Sequence, residues 1–208
     1  RHAGNGYASV PSSLFVDGVF VPNGEQKQIV SSAGHVFEAC PVTQGKFYTN
    51  VKHSPGLFRG LPVYLEAGSG RADTSSIFLH PNLGVTFDLE AFRNSIPGTT
   101  IHQFKADIGV SQSSKGEFQA DFWVLVDGRV RYSMQGVHTR GLADRIVIDL
   151  AESDRYLSLI TTDGGPSTGD EDSSDYDRSW IGRDWCIFRS PVLELTQAVQ
   201  RPLREMDP

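Results

Sequence analysis

An antiparallel all-β sandwich or barrel is the fold class predicted by the sequence, and three observations predict it. Apolar runs of strand length recur with turn signals between them. Two Asp-Gly dipeptides lie inside alternating apolar segments, where their tolerance of positive φ suits tight turns. No alternation of strands with helices suggests a parallel sheet. The strongest element is residues 118–134, where Asp127-Gly128 joins two strands of a β-hairpin and sets their register. That register places Phe118, Ala120, Phe122, Val124 and Val126 on one face, and Gln119, Asp121, Trp123 and Leu125 on the other.

In chain order, residues 14–21 repeat the pattern, with Asp17-Gly18 as the turn of a short hairpin and Pro22-Asn23-Gly24 closing it. Short strands are predicted at 28–31, 36–39 and 62–66. The denser β region follows at 76–80 and 84–89, broken by Pro81-Asn82, then at 102–110, 144–150, 156–161 and 185–188. Helical candidates are short: 89–94, the region around 151–154, and a polar tail from Leu195. Trp123, on the more polar face of its strand, is either a flat binding platform or the floor beneath the N-terminal segment, and the floor is the preferred reading.

With 208 residues, 38% of them hydrophobic, the chain supports one good core and one domain over residues 1–208. Net charge is −6 and the 19 Lys and Arg are scattered singly, so no basic stripe is available for nucleic acid. No apolar run approaches a membrane span. The chain begins at Arg1 rather than Met, which points to a processed piece of a longer protein. Cys40 and Cys186 leave a disulfide open; such a bond would tie the N-terminal segment to the last core strand and accord with an oxidising compartment.

From 162 to 184 the strand pattern stops, and Asp170, Asp172, Asp175 and Asp177 crowd a long surface loop. Their oxygens are of the kind Ca²⁺ takes, but the EF-hand pattern is absent, since no Gly stands sixth from Asp170 and Ile181 stands twelfth. A solvated acidic loop is the alternative. Tyr176 and Trp180 supply aromatic faces that could stack on a sugar ring while carboxylates accept hydroxyl hydrogen bonds, or Trp180 packs the loop onto the sandwich. His2, His35, His53, His80, His102 and His138 have no spacing suited to zinc, and nucleophile-elbow, phosphate-loop and dinucleotide motifs are absent.

Six pieces in order resemble the NPCBM family, the carbohydrate-binding modules noted beside glycosidase catalytic domains and close to carbohydrate-binding family 51. They are Phe78-Leu79-His80-Pro81, Val85-Thr86-Phe87-Asp88-Leu89, Phe104 to Val110, Phe122 to Gly128, Leu157 to Gly164, and Asp184-Trp185. Where the family commonly reads Asp-His-Ala-Asp-Trp, this chain reads Ile181-Gly182-Arg183-Asp184-Trp185, without the first Asp and the His. The resemblance implies a galactose-binding-like jelly-roll β-sandwich with short helical turns and a family-like core at 73–196; residues 14–66, which the motifs do not cover, are expected as edge strands packed onto it. It further implies a non-catalytic module that binds a glycan or polysaccharide, attached to a glycoside hydrolase or other domains of an extracellular or periplasmic protein. Trp180, Tyr176, His80, Asp184 and Trp185 are the expected ligand-binding residues, and Asp163 and Asp184 the expected ligands of a structural Ca²⁺. The alternative function is a cell-surface module for protein partners with no sugar ligand, with an appended hydrolase activity third.

Overall fold

At the Asp127-Gly128 turn both residues have positive φ, 49° and 77°, as a two-residue hairpin turn demands. The chain is a computed structural model describing residues 6–43, 47, 51–53, 56–68, 73, 75–116, 118–164 and 184–197. Its elements run β1 (Tyr7–Ser9), β2 (Val16–Phe20), β3 (Val51–His53), β4 (Leu57–Phe58), β5 (Leu61–Pro62), β6 (Ser76–Leu79), β7 (Leu83–Asp88), α1 (Leu89–Ser95), β8 (Thr99–Val110), β9 (Ala120–Val126), β10 (Arg129–Val137), β11 (Gly141–Asp149), β12 (Tyr156–Thr162) and β13 (Cys186–Gln197). A six-stranded sheet, β1-β2-β7-β12-β9-β10, faces a five-stranded sheet, β11-β8-β13-β6-β3, and β4-β5 form a separate hairpin. The fold is an all-β jelly-roll sandwich.

The alternation read from the hairpin decides which side chains meet between the sheets. Phe118, Ala120, Phe122, Val124 and Val126 join Phe104, Ile108, Leu159 and Phe188 in the inner core. Phe122 meets Phe188 edge-on at 5.6 Å, linking the two sheets. Trp123 and Leu125 point outward yet are buried as well, because Val30 and Phe37 cover them. Phe37 lies edge-on to Trp123 at 5.2 Å, so this tryptophan is a floor under the N-terminal segment. Thr86 also donates its hydroxyl to the Val30 carbonyl, anchoring that segment to β7.

Several local expectations are corrected. Asp17-Gly18 is no turn: both lie inside β2, at a register shift between Val16 and Gly18 against β7. The Asp17 carboxylate instead accepts from the Tyr7 hydroxyl at 2.7 Å and from the Ser32 N–H at 2.8 Å. Gly18 is required because the Tyr7 ring occupies the space of its missing Cβ. Residues 28–31 and 36–39 meet only through an Ile29–Val36 bridge and form no strands, while 62–66 contributes only the end of β5. Leu195 begins no helix. It pairs with Ile101, because β8 is long enough to hold β13 in the sheet as far as Gln197. Cys40 and Cys186 are free, the first packed against the outer cluster under the N-terminal segment and the second in the inner core. No described helix is long and apolar enough to cross a membrane.

Candidate functional site

Strand register gathers the candidate residues at one end of the sandwich. Thr162 pairs with Asp121, Val137 with Ala120, Thr161 with Leu83, and Cys186 with both Val110 and Leu79. The residues just beyond those pairs, Asn82, Asp163, Ser111, His80 and Asp184, therefore share that end. Opposite strand directions in an antiparallel sandwich bring these distant positions together.

The cluster is polar and buried. Asn82 is fully buried and holds φ at 59°, which Asn tolerates better than most residues. Its side-chain amide donates to Asp163 at 2.8 Å, and the Asp163 N–H returns a bond to the Asn82 side-chain carbonyl at 3.2 Å. Asp121 accepts from the Gly136 N–H and from the Thr162 hydroxyl, each at 2.8 Å, and Thr162 accepts from the Trp123 indole N–H at 3.1 Å. Burial nevertheless raises the Asp121 carboxyl above the usual carboxylate range, outweighing those bonds.

Asp184 differs from its neighbours. It is wholly buried, and among the described residues neither carboxylate oxygen has a hydrogen-bond partner. Burial first, and the nearby Asp163 charge second, push its pKa up to about 9. An unpartnered buried carboxylate is costly unless it is protonated or meets a cation. The donor set fits Ca²⁺ in kind, since Asp163, Asp184 and Asn82 present hard oxygens. Among the described residues, however, no three His, Cys, Asp or Glu side chains form a group that could hold a metal, so carbonyls and water would complete any coordination shell.

His80 is 1% exposed, within reach of the Phe78 and Phe58 rings at 6.2 and 6.3 Å. Burial, helped by the Arg59 charge, lowers its pKa to about 3, so the ring is neutral. Trp185 is 5% exposed and meets Phe58 edge-on at 4.9 Å. Its indole nitrogen, too, has no hydrogen-bond partner among the described residues. Thus the structure brings Asp163 and Asp184 to one end and buries His80, Asp184 and Trp185, while Tyr176, Trp180 and the acids 170–177 lie outside the described residues. Sequence reasoning missed Asn82 and Asp121. The signal for Asn82 was its place after Pro81 in a tight turn; for Asp121, alternation indicated only a polar face.

The two antiparallel sheets place the chain in the jelly-roll β-sandwich class. Within that class, residues 91–181, a little under half of the chain, match the NPCBM/NEW2 domain family. The chain is structurally similar to CBM51 from Clostridium perfringens GH95, solved in complex with methyl-galactose, with a TM-score of 0.50 and 20% identity over 71% of this chain and 89% of that one. It is also similar to the Clostridium perfringens ZmpB structure that holds the M60 catalytic domain with CBM51-1 and CBM51-2, with a TM-score of 0.51 and 20% identity over 70% of this chain but 13% of that one. At that identity the likeness concerns the fold. Both structures contain CBM51 modules. No curated protein matches the chain.

Proposed function

We propose that this chain is a non-catalytic carbohydrate-binding module of a larger extracellular or periplasmic protein, recognising a glycan with groups at the loop end of the sandwich. The observation that carries it is the NPCBM/NEW2 match over residues 91–181. The buried Asn82–Asp163 and Thr162–Asp121 hydrogen bonds support it, because a rigid polar base is what precise ligand loops need. Tyr176 and Trp180 are proposed as aromatic contacts with the sugar. His80, Asp184 and Trp185, all buried, are proposed to support the ligand-binding end from within. Asp163 and Asp184 are proposed to hold a structural Ca²⁺, which would supply Asp184 with the positive partner that no described residue provides.

A glycan array followed by calorimetry tests the reading. Specific sugar binding that is lost on Trp180→Ala is the expected result; no glycan bound, together with capture of a protein partner, overturns it in favour of a protein-interaction module. The cation is tested by melting with calcium and with chelator. Binding to the folded state alone contributes about 2.7 kcal/mol at 100 times the dissociation constant, so an unchanged midpoint removes the metal.

A further inference from the structure

The β4–β5 hairpin turns through Arg59 and Gly60, whose φ values are 50° and 78°. A two-residue turn of this kind favours Asn, Asp or Gly at its first position, and a long side chain there is held against backbone preference. The Arg59 guanidinium carbon lies 5.8 Å from the Phe58 ring centroid, and Lys52 Nζ, arriving from β3, lies 5.3 Å from the same centroid. Two cations from separate elements are thus gathered over one aromatic ring, although the chain's net charge is −6. Both residues are exposed. Neither pairs with a carboxylate among the described residues, whereas Lys105, Arg145, Arg155 and Arg189 each do. Phe58 in turn packs on Trp185 and faces His80, so the cations stand at the rim of the proposed sugar-binding end.

We propose that Lys52 and Arg59, positioned over Phe58, form a subsite for an anionic substituent, sulfate or carboxylate, of the glycan that the module binds. This rests on the carbohydrate-binding reading above. A guanidinium presents a planar fork that matches either group, and the ammonium adds an adaptable second charge. The turn fixes the Arg59 backbone and the Phe58 ring orients its guanidinium, which lowers the ordering cost of binding.

Calorimetry on the full chain with heparin, polygalacturonate and neutral galactan, following a glycan array of neutral and anionic sugars, tests the proposal. An anionic probe is expected to bind more tightly than galactan; binding of polygalacturonate, which bears carboxylates alone, shows that carboxylate suffices, whereas binding of heparin without polygalacturonate assigns the subsite to sulfate. Lys52→Gln and Arg59→Asn should each weaken the anionic probe about fivefold, with added salt erasing the difference. Arg59→Asn also creates the preferred Asn-Gly turn, so its melting temperature should hold or rise, which separates lost affinity from lost folding. If neutral glycans bind and both variants bind every probe as the parent does, the subsite is refuted and the carbohydrate reading stands. If no sugar binds at all, the carbohydrate reading fails and the subsite with it.

Discussion

The two ends of the sandwich use the same residue type in opposite physical states. At the α1 end, Asp88 caps the helix by accepting from the Glu90 and Ala91 N–H groups at 2.9 and 3.2 Å. Asp127 accepts from the Tyr156 N–H at 2.8 Å, and Asp154 from the Ala151 N–H at 2.9 Å. All three are half-buried and keep part of their hydration. At the other end Asp121, Asp163 and Asp184 are buried, and Asp184 has lost water without gaining a described partner. A solvated aspartate that satisfies backbone donors organises a turn at little cost, whereas a dry one needs a proton or a cation.

Breaking the packing beneath the dry end should have the largest effect. Trp185→Ala removes a buried ring and should destabilise by about 3–5 kcal/mol in urea unfolding, far more than a surface sugar contact would. A loss under 1 kcal/mol would mean that Trp185 is not core.

The next effect separates the ends by pH. In chelated protein, folded Asp184 keeps its proton to about 9, while the unfolded residue loses it near 3.8. Alone, it would make stability fall as pH rises across that interval, by up to about 1.4 kcal/mol per unit. His80 acts in the opposite sense: unfolded it gains a proton below 6.5, folded only near 3, so stability falls as pH drops through that range. The two slopes cancel between 3.8 and 6.5, leaving a plateau, and above 6.5 the Asp184 slope stands alone. Asp184→Asn should abolish the alkaline fall and expose the His80 slope. Unfolding curves at pH 5, 6.5 and 8 check this, and a parent stability that holds steady from 6.5 to 8 without metal counts against a protonated Asp184.

The smallest effect belongs to the wet end. Asp88→Ala removes the helix cap and should cost about 1 kcal/mol, with sugar and calcium binding unchanged. Altered calcium affinity in this variant would show that the two ends are coupled.

How much of this was legible can be traced residue by residue. The hairpin was, because Asp127-Gly128 has one economical conformation and the flanking alternation agreed with it. The same dipeptide at Asp17-Gly18 misled, because Tyr7 and Ser32 claim that carboxylate and β7 holds the backbone straight. Propensity yielded there to tertiary pairing. Asp163 and Asp184 could be singled out through the family resemblance, but their burial could not, and neither the turn position of Asn82 nor the polar-face position of Asp121 placed them beside that pair.

The sequence by itself determined the all-β class and the two-faced alternation of β9, which rest on local periodicity and turn chemistry, and the family resemblance, which rests on six motif pieces in order. Tertiary structure alone decided that Asn82, Asp121, Asp163 and Asp184 share one dry end, and that Lys52 and Arg59 converge on one ring. The reason is physical: desolvation and charge proximity depend on which strands pair across long sequence separations, and that pairing is set by the packing of the whole sandwich.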